Sequence, residues 1–198
     1  MNARTIVTLM LALVAAAAAS AQPPPRVRGV IESFQGQTLV VATPNQGAVR
    51  LTLTDMTGIN GLEKRTLADI KDNTFIGATA VKNRDGRWEA TEVHIFPEAM
   101  RGAGEGHYAW DLPESTMTNG AATGIVAEGR GGTLTVRYAG GTVEMDITRK
   151  TQIVALTQGT RVLLLQGATI MALAVPAPTG GATAVAIIVE TNGVKPPM

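Results

Sequence analysis

The chain has 198 residues, 17 Lys+Arg against 16 Asp+Glu, and no cysteine. Without thiols there is no disulfide framework, thiolate zinc centre or thiol nucleophile. The near-balance of charge argues against a protein devoted to wrapping nucleic acid, which draws its affinity from many Lys/Arg–phosphate contacts.

The N-terminus reads as a secretory leader. Arg4 is the only charge before residue 22, Ile6 to Ala19 is apolar apart from Thr8, and Ala19-Ser20-Ala21 has the small-x-small form of a cleavage site. The apolar run of 14 residues is shorter than the roughly 20 that a spanning helix needs. The expectation is a signal peptide over 1–21, cleaved after Ala21, and a periplasmic protein that is not membrane-spanning once the leader is gone. A Pro-rich lead-in, 22–25, follows; each Pro fixes φ and keeps its predecessor extended.

From Arg26 on, short runs rich in β-branched residues alternate with turn residues, the pattern of an all-β domain. Strands are predicted over Arg26–Phe34, Thr38–Ala42, Ala48–Leu53, Thr74–Lys82 and Trp88–Phe96, with one helical turn at Leu67–Ile70. Asp85-Gly86 between two such runs is a hairpin signal. A second apolar stretch, Val162–Val175, ends at Pro176 and is read as a buried strand.

A shift of 94–95 residues superposes the pattern on itself. Gly29-Val30-Ile31 meets Gly124-Ile125-Val126, Val49–Thr54 meets Val143–Thr148, Thr57-Gly58-Ile59 meets Thr151-Gln152-Ile153, and Thr74–Val81 meets Ala168–Val175. The chain therefore reads as a tandem duplication of a five-stranded unit. Each unit is expected to be a small OB-like β-barrel, one over 26–96 and one over 121–192, with a C-terminal tail at 193–198. A β-sandwich is the alternative. Gly29 and Gly124 are expected to let the first strand of each unit bend.

Between the units, residues 97–120 carry no strand periodicity and include Tyr108, Trp110 and His107. This linker bears a net charge of −3, against +1 on 26–96 and +2 on 121–198, as a segment folded back onto its own domains would show. Trp110 and Tyr108 argue for docking, either as a clamp between the barrels or on a partner. The candidate contact residues are Arg101, Glu105, His107, Tyr108, Trp110 and Asp111.

The run Phe96-Pro97-Glu98-Ala99-Met100-Arg101-Gly102, then Gly104-Glu105-Gly106-His107, Trp110-Asp111-Leu112 and Ser115–Asn119, resembles a family of exported proteobacterial proteins. That family carries tandem OB-like domains and is classed as a domain of unknown function. The ending Gly193-Val194-Lys195-Pro196-Pro197-Met198 is similar to it too. The resemblance implies a soluble periplasmic protein with two small barrels and implies no activity. Its members often carry the label of metal ABC transporter component or permease.

No Ser or Thr sits in a nucleophile motif such as G-x-S-x-G, and carboxylates are scattered rather than paired. Arg130-Gly131-Gly132 and Gly180-Gly181 lack the Lys-Ser/Thr of a phosphate loop. His94, His107, Glu98, Glu105, Asp111, Met100 and Met117 lie close in sequence without the spacing of a metal motif, and His94, between Val93 and Ile95, is expected to face solvent. No catalytic residue, metal or cofactor is assigned. The expectation is a non-catalytic periplasmic binding or scaffold protein whose partner is an envelope protein or small ligand, not nucleic acid. A carbohydrate or peptide partner would engage Trp88, Tyr108 and Trp110. The alternative is a small-ligand or metal-handling accessory protein built on Glu105, His107 and Asp111.

Overall fold

The computed structural model describes residues 25–129, 131–177 and 181–196. The expected leader, its cleavage site, Arg130, Gly180 and the last two residues of the tail lie outside them. The described chain is all-β, and every helical element is a single 3-10 turn, at Leu67–Asp69, Glu98–Met100 and Arg161–Leu163.

Thirteen strands form one continuous sheet. They are β1 (Arg26–Gln35), β2 (Thr38–Thr43), β3 (Gly47–Thr52), β4 (Gly58–Lys64), β5 (Phe75–Lys82), β6 (Trp88–Ile95), β7 (Gly106–Ala109), β8 (Ser115–Glu128), β9 (Gly131–Tyr138), β10 (Gly141–Ile147), β11 (Gln152–Gln158), β12 (Thr169–Pro176) and β13 (Ala182–Val189). The five expected strands of the first unit form. One strand per unit was not expected as such: β4 in the first and its counterpart β11 in the second. The stretch Val162–Val175 is strand only from Thr169; its first part is a 3-10 turn followed by a turn at Gly167, which sits at φ 88°.

The pairing closes two five-stranded circuits. One runs β1-β2-β3-β13-β12 and back to β1, with β3–β13 parallel and the rest antiparallel. The other runs β8-β9-β10-β6-β5 and back to β8, with β10–β6 parallel. Alternating side chains fill each interior. Ile31, Leu39, Leu51, Ile170 and Ile187 lie in the first core, and Ile76, Val93, Leu134, Val136 and Met145 in the second.

These circuits correct the expected boundaries. Neither 26–96 nor 121–192 closes a barrel by itself. The first barrel combines β1–β3 with β12 and β13 from the far end of the chain; the second is built from β5, β6 and β8–β10. The cause is β4. Instead of turning back after β3, the chain runs on in extended form through Gly58–Lys64, pairs in parallel with β13 and antiparallel with β11, and delivers β5 and β6 to the other barrel. Strand β11 does the same in reverse, lying parallel to β6. Leu62 pairs with Leu156, its own counterpart in the duplication, so a local pseudo-twofold axis passes between them. Around it lies a third core of Leu62, Val154 and Leu156, covered by Phe96, Met100, Ile188 and Val194.

The first strand also needs a correction. Gly29 pairs with Ile170, and Gly120 pairs with Ile76, the counterpart of Ile170. Gly29 thus corresponds to Gly120, not Gly124. A Cβ on Gly29 would stand 2.0 Å from the Ala42 carbonyl oxygen, and one on Gly120 would stand 2.2 Å from that of Arg137. The strand bends further on, at bulges between Ile31 and Ser33 and between Ala122 and Gly124. The mismatch arises because the β8–β9 hairpin is longer: β8 pairs on to Glu128↔Gly131, where β1 stops at Gln35↔Thr38.

Two outcomes follow. Gly29→Ala and Gly120→Ala should each destabilise the fold by about 1–3 kcal/mol through backbone overpacking. Gly124→Ala, whose Cβ meets only the Thr135 side chain at 3.0 Å, should cost less; urea midpoints of the three variants check this. A chain cut in the exposed Gly102–Gly104 turn should keep both pieces together through gel filtration, because β1–β12, β3–β13, β4–β11, β5–β8 and β6–β10 all cross the cut. Separation of the pieces under native conditions would contradict the strand exchange.

Candidate functional site

The linker is a hairpin rather than an aperiodic segment. After the 3-10 turn at Glu98–Met100, β7 pairs antiparallel with the first half of β8, from Gly106↔Asn119 to Ala109↔Thr116. That half of β8 also pairs with β5, so β7 adds one strand to the wall of the second barrel. Glu114 takes the tight turn at φ 60°, and Ser115 closes it, donating Oγ–H to the Leu112 carbonyl at 2.7 Å and accepting from the Leu112 N–H at 3.0 Å.

Alternation along β7 sends its aromatic groups to opposite faces. His107 packs between Trp88, edge-on at 5.8 Å, and Tyr138, stacked at 6.1 Å, with Nδ1 2.8 Å from the Thr118 hydroxyl. Tyr108 and Trp110 lie on the other face, their rings 6.0 Å apart. Asn119 Nδ2 donates to the Tyr108 hydroxyl at 3.2 Å. Burial pushes the Tyr108 phenol above its ordinary value, with Arg26 pulling weakly the other way. The stability this neutral phenol contributes is therefore complete below pH 10 and is lost as the pH rises through its raised folded value.

Trp110 and Asp111 reach across to β1. The Arg26 guanidinium lies over the Trp110 ring, 3.4 Å from its centroid, and donates to Asp111 Oδ1 at 2.5 Å. Arg28 donates Nε–H to Asp111 Oδ2 at 3.1 Å, and its Nη2 bonds the same oxygen. The linker's acidic sign is met by two arginines at alternate positions of β1, which share one face. Trp110 is half-buried in this contact, so it is tied to the first barrel on one side and open on the other.

The remaining candidates are placed elsewhere. Arg101 bonds Glu98 and the Asn73 carbonyl and sits over Phe75 at 5.7 Å, while Glu105 accepts the Ala139 N–H at 2.9 Å. Glu105, His107 and Asp111 therefore do not converge, and no group of three or more His, Asp or Glu side chains among the described residues could hold a metal. His94 is a correction. Far from facing solvent, it is 4% exposed and in direct contact with the equally buried Glu92. Its face of β6 would be outside an isolated barrel; here β11 extends the sheet beside it, with Val154 paired opposite His94.

What the hairpin does assemble is an open groove of about 840 Å³. It wraps the free edge of β7, lined by Trp88 and His107 from one face and Tyr108 and Trp110 from the other, with Lys82 5.2 Å over the Trp88 ring and Asp111 and Glu114 also on its walls. Arg26, Arg28 and Lys82 were not singled out in the sequence; the alternation of Arg26 and Arg28 on a predicted strand opposite an acidic linker was the available signal. No family model, curated protein or solved structure matches the chain.

Asp111→Ala should lower stability by about 1 kcal/mol, an effect that fades in high salt, because the pair is partly exposed. Glu92→Ala should cost about 1–3 kcal/mol with little salt dependence, since it leaves the buried His94 ring without its polar neighbour. Paired urea titrations at low and high ionic strength separate the two.

Proposed function

We propose that the protein is a non-catalytic binding or scaffold module of the cell envelope, exported by the leader at its N-terminus, with the β7–β8 groove as its recognition surface. The observation that carries this reading is the gathering of Trp88, Tyr108 and Trp110, nearly half of the chain's seven aromatics, around one open groove. Aromatic faces at fixed spacing offer large apolar area with little side-chain entropy to lose, which suits the flat faces of sugar rings or the extended backbone of a peptide. The rim supports the same reading: Lys82, Asp111 and Glu114 provide polar groups that would orient such a ligand. The Arg26 stack and the Arg28–Asp111 bond hold Trp110 in place before a ligand arrives, reducing the ordering cost of binding.

Both tryptophans of the chain line this groove, so intrinsic fluorescence reports on it directly. Titration with envelope-derived oligosaccharides and peptides should give a saturable change in emission, lost in Trp110→Ala but kept in Asp111→Ala, which loosens the same contact with β1. Crosslinks formed in cells by the parent and absent in Trp110→Ala would identify the partner. Turnover of an envelope substrate that disappears on replacing a single polar residue would overturn the non-catalytic reading.

A further inference from the structure

A second groove, of about 820 Å³, lies away from the aromatic one, where the end of β4 and the 3-10 turn after it meet the β10–β11 turn and the C-terminal segment. Lys64, Arg65, Arg149, Lys150 and Lys195 stand on its walls, and no carboxylate is among the described residues that line it. Arg65 is paired with Glu63, but Lys64, Arg149, Lys150 and Lys195 enter no ion pair within 4 Å among the described residues, Lys195 acting only at longer range on Glu190. Like charges gathered in one groove repel one another and oppose folding.

The duplication supplies an internal control, because the same backbone frame occurs twice. In the β10–β11 turn, Thr148 N–H donates to Thr151 Oγ1 at 2.9 Å and Lys150 N–H to Thr148 Oγ1 at 3.2 Å. In the β3–β4 turn, Thr54 N–H donates to Thr57 Oγ1 at 2.9 Å and Met56 N–H to Thr54 Oγ1 at 3.2 Å. Arg65 N–H bonds the Ile153 carbonyl at 2.8 Å, and its counterpart Gly159 N–H bonds that of Ile59 at 2.9 Å. Yet where one copy carries Lys64, Arg65, Arg149 and Lys150, the other carries Gln158, Gly159, Asp55 and Met56. The one arginine near the second copy, Arg161, is engaged by Asp55 and the Thr54 carbonyl. The frame thus stands without these four cations, and the basic set in the first copy is not a requirement of the fold.

We propose that this groove binds a ligand carrying adjacent phosphate groups, anchored by Lys64, Arg149, Lys150 and Lys195. Single exposed ion pairs in water are weak, so four dispersed cations select a ligand whose several charges engage them together. The Arg149 fork suits bidentate phosphate contact, and the three lysines supply mobile point charges around it. The site is separate from the aromatic groove and does not depend on the function proposed for it.

Calorimetric titration of the protein with tripolyphosphate tests the proposal, with orthophosphate for comparison. Vesicles containing phosphatidylglycerol, set against phosphatidylcholine alone, form the second arm. The expected result is saturable tripolyphosphate binding, tighter than orthophosphate. Arg149→Asp combined with Lys150→Met should weaken it by about tenfold or more, and Lys195→Gln several-fold. The double variant installs the residues that its sibling turn already carries, and an unchanged urea midpoint verifies that its fold is retained. Binding only to the anionic vesicles, lost in the double variant, assigns the phosphates to lipid headgroups; tripolyphosphate binding assigns them to a soluble ligand. Binding to neither probe, or undiminished binding by the double variant, overturns the proposal.

Discussion

Five residue pairs between β4 and β11 are the constraint on which the rest of the molecule depends. Each of these strands carries its half of the chain out of one barrel and into the other. Their antiparallel contact is self-complementary in the sense of a symmetric dimer interface, Leu62 facing Leu156 across the axis. The arrangement has the form of a strand-exchanged dimer whose two copies have been joined in one chain. The β7–β8 hairpin occupies the join. Its second function in the fold is to fasten β8 of one barrel to β1 of the other through Trp110, Asp111 and the paired arginines.

Strand exchange also alters what counts as inside. In a free barrel the outward face of β6 would meet water. Here β11 lies beside β6, and Phe96 and Met100 cover the adjoining layer, so Glu92 and His94 are enclosed. A buried carboxylate and imidazole cost solvation, and their mutual contact offsets much of that cost only while both are present. The two turns that cross between halves are fixed by hydroxyls in the same way: Thr57 donates to the Ala184 carbonyl at 2.8 Å and Thr151 to that of Ala90 at 2.7 Å.

The residue pattern revealed the strands and the duplication because both are local properties. Val49, Leu51 and Leu53 alternate whatever they pair with, and their counterparts Val143, Met145 and Ile147 repeat the alternation. Pairing is not local. Gly58-Ile59-Asn60-Gly61-Leu62-Glu63-Lys64 holds two glycines and an asparagine and makes a poor strand by propensity; it becomes one because β13 and β11 flank it. Its partners lie ninety or more residues away, so no window around it announces them. The glycine correspondence failed for a related reason. Gly124 aligns with Gly29 by count along the chain, but the lengthened hairpin moves the position that must lack a side chain back to Gly120. For the site, aromatic and acidic residues in the linker were visible as composition, whereas Arg26 and Arg28 acquire their meaning only when β1 arrives beside the hairpin.

The route of the chain has a consequence in time. The second barrel lies wholly within residues 75–147, so all its strands are available once that stretch has emerged. The first barrel holds both ends: β1 can pair early with β2 but must wait for β12, and Val30, already opposite Ala42, meets its other neighbour only at Thr169. Closing so long a loop is entropically slow, and contacts of high sequence separation form late. The inner barrel therefore offers itself as the nucleus, with β4 and β11 left as an open edge until the outer barrel closes around the finished one. For any interval between those two events, β1–β3 are an unclosed sheet, and it is there that a helper protein or a wrong partner would find a hold.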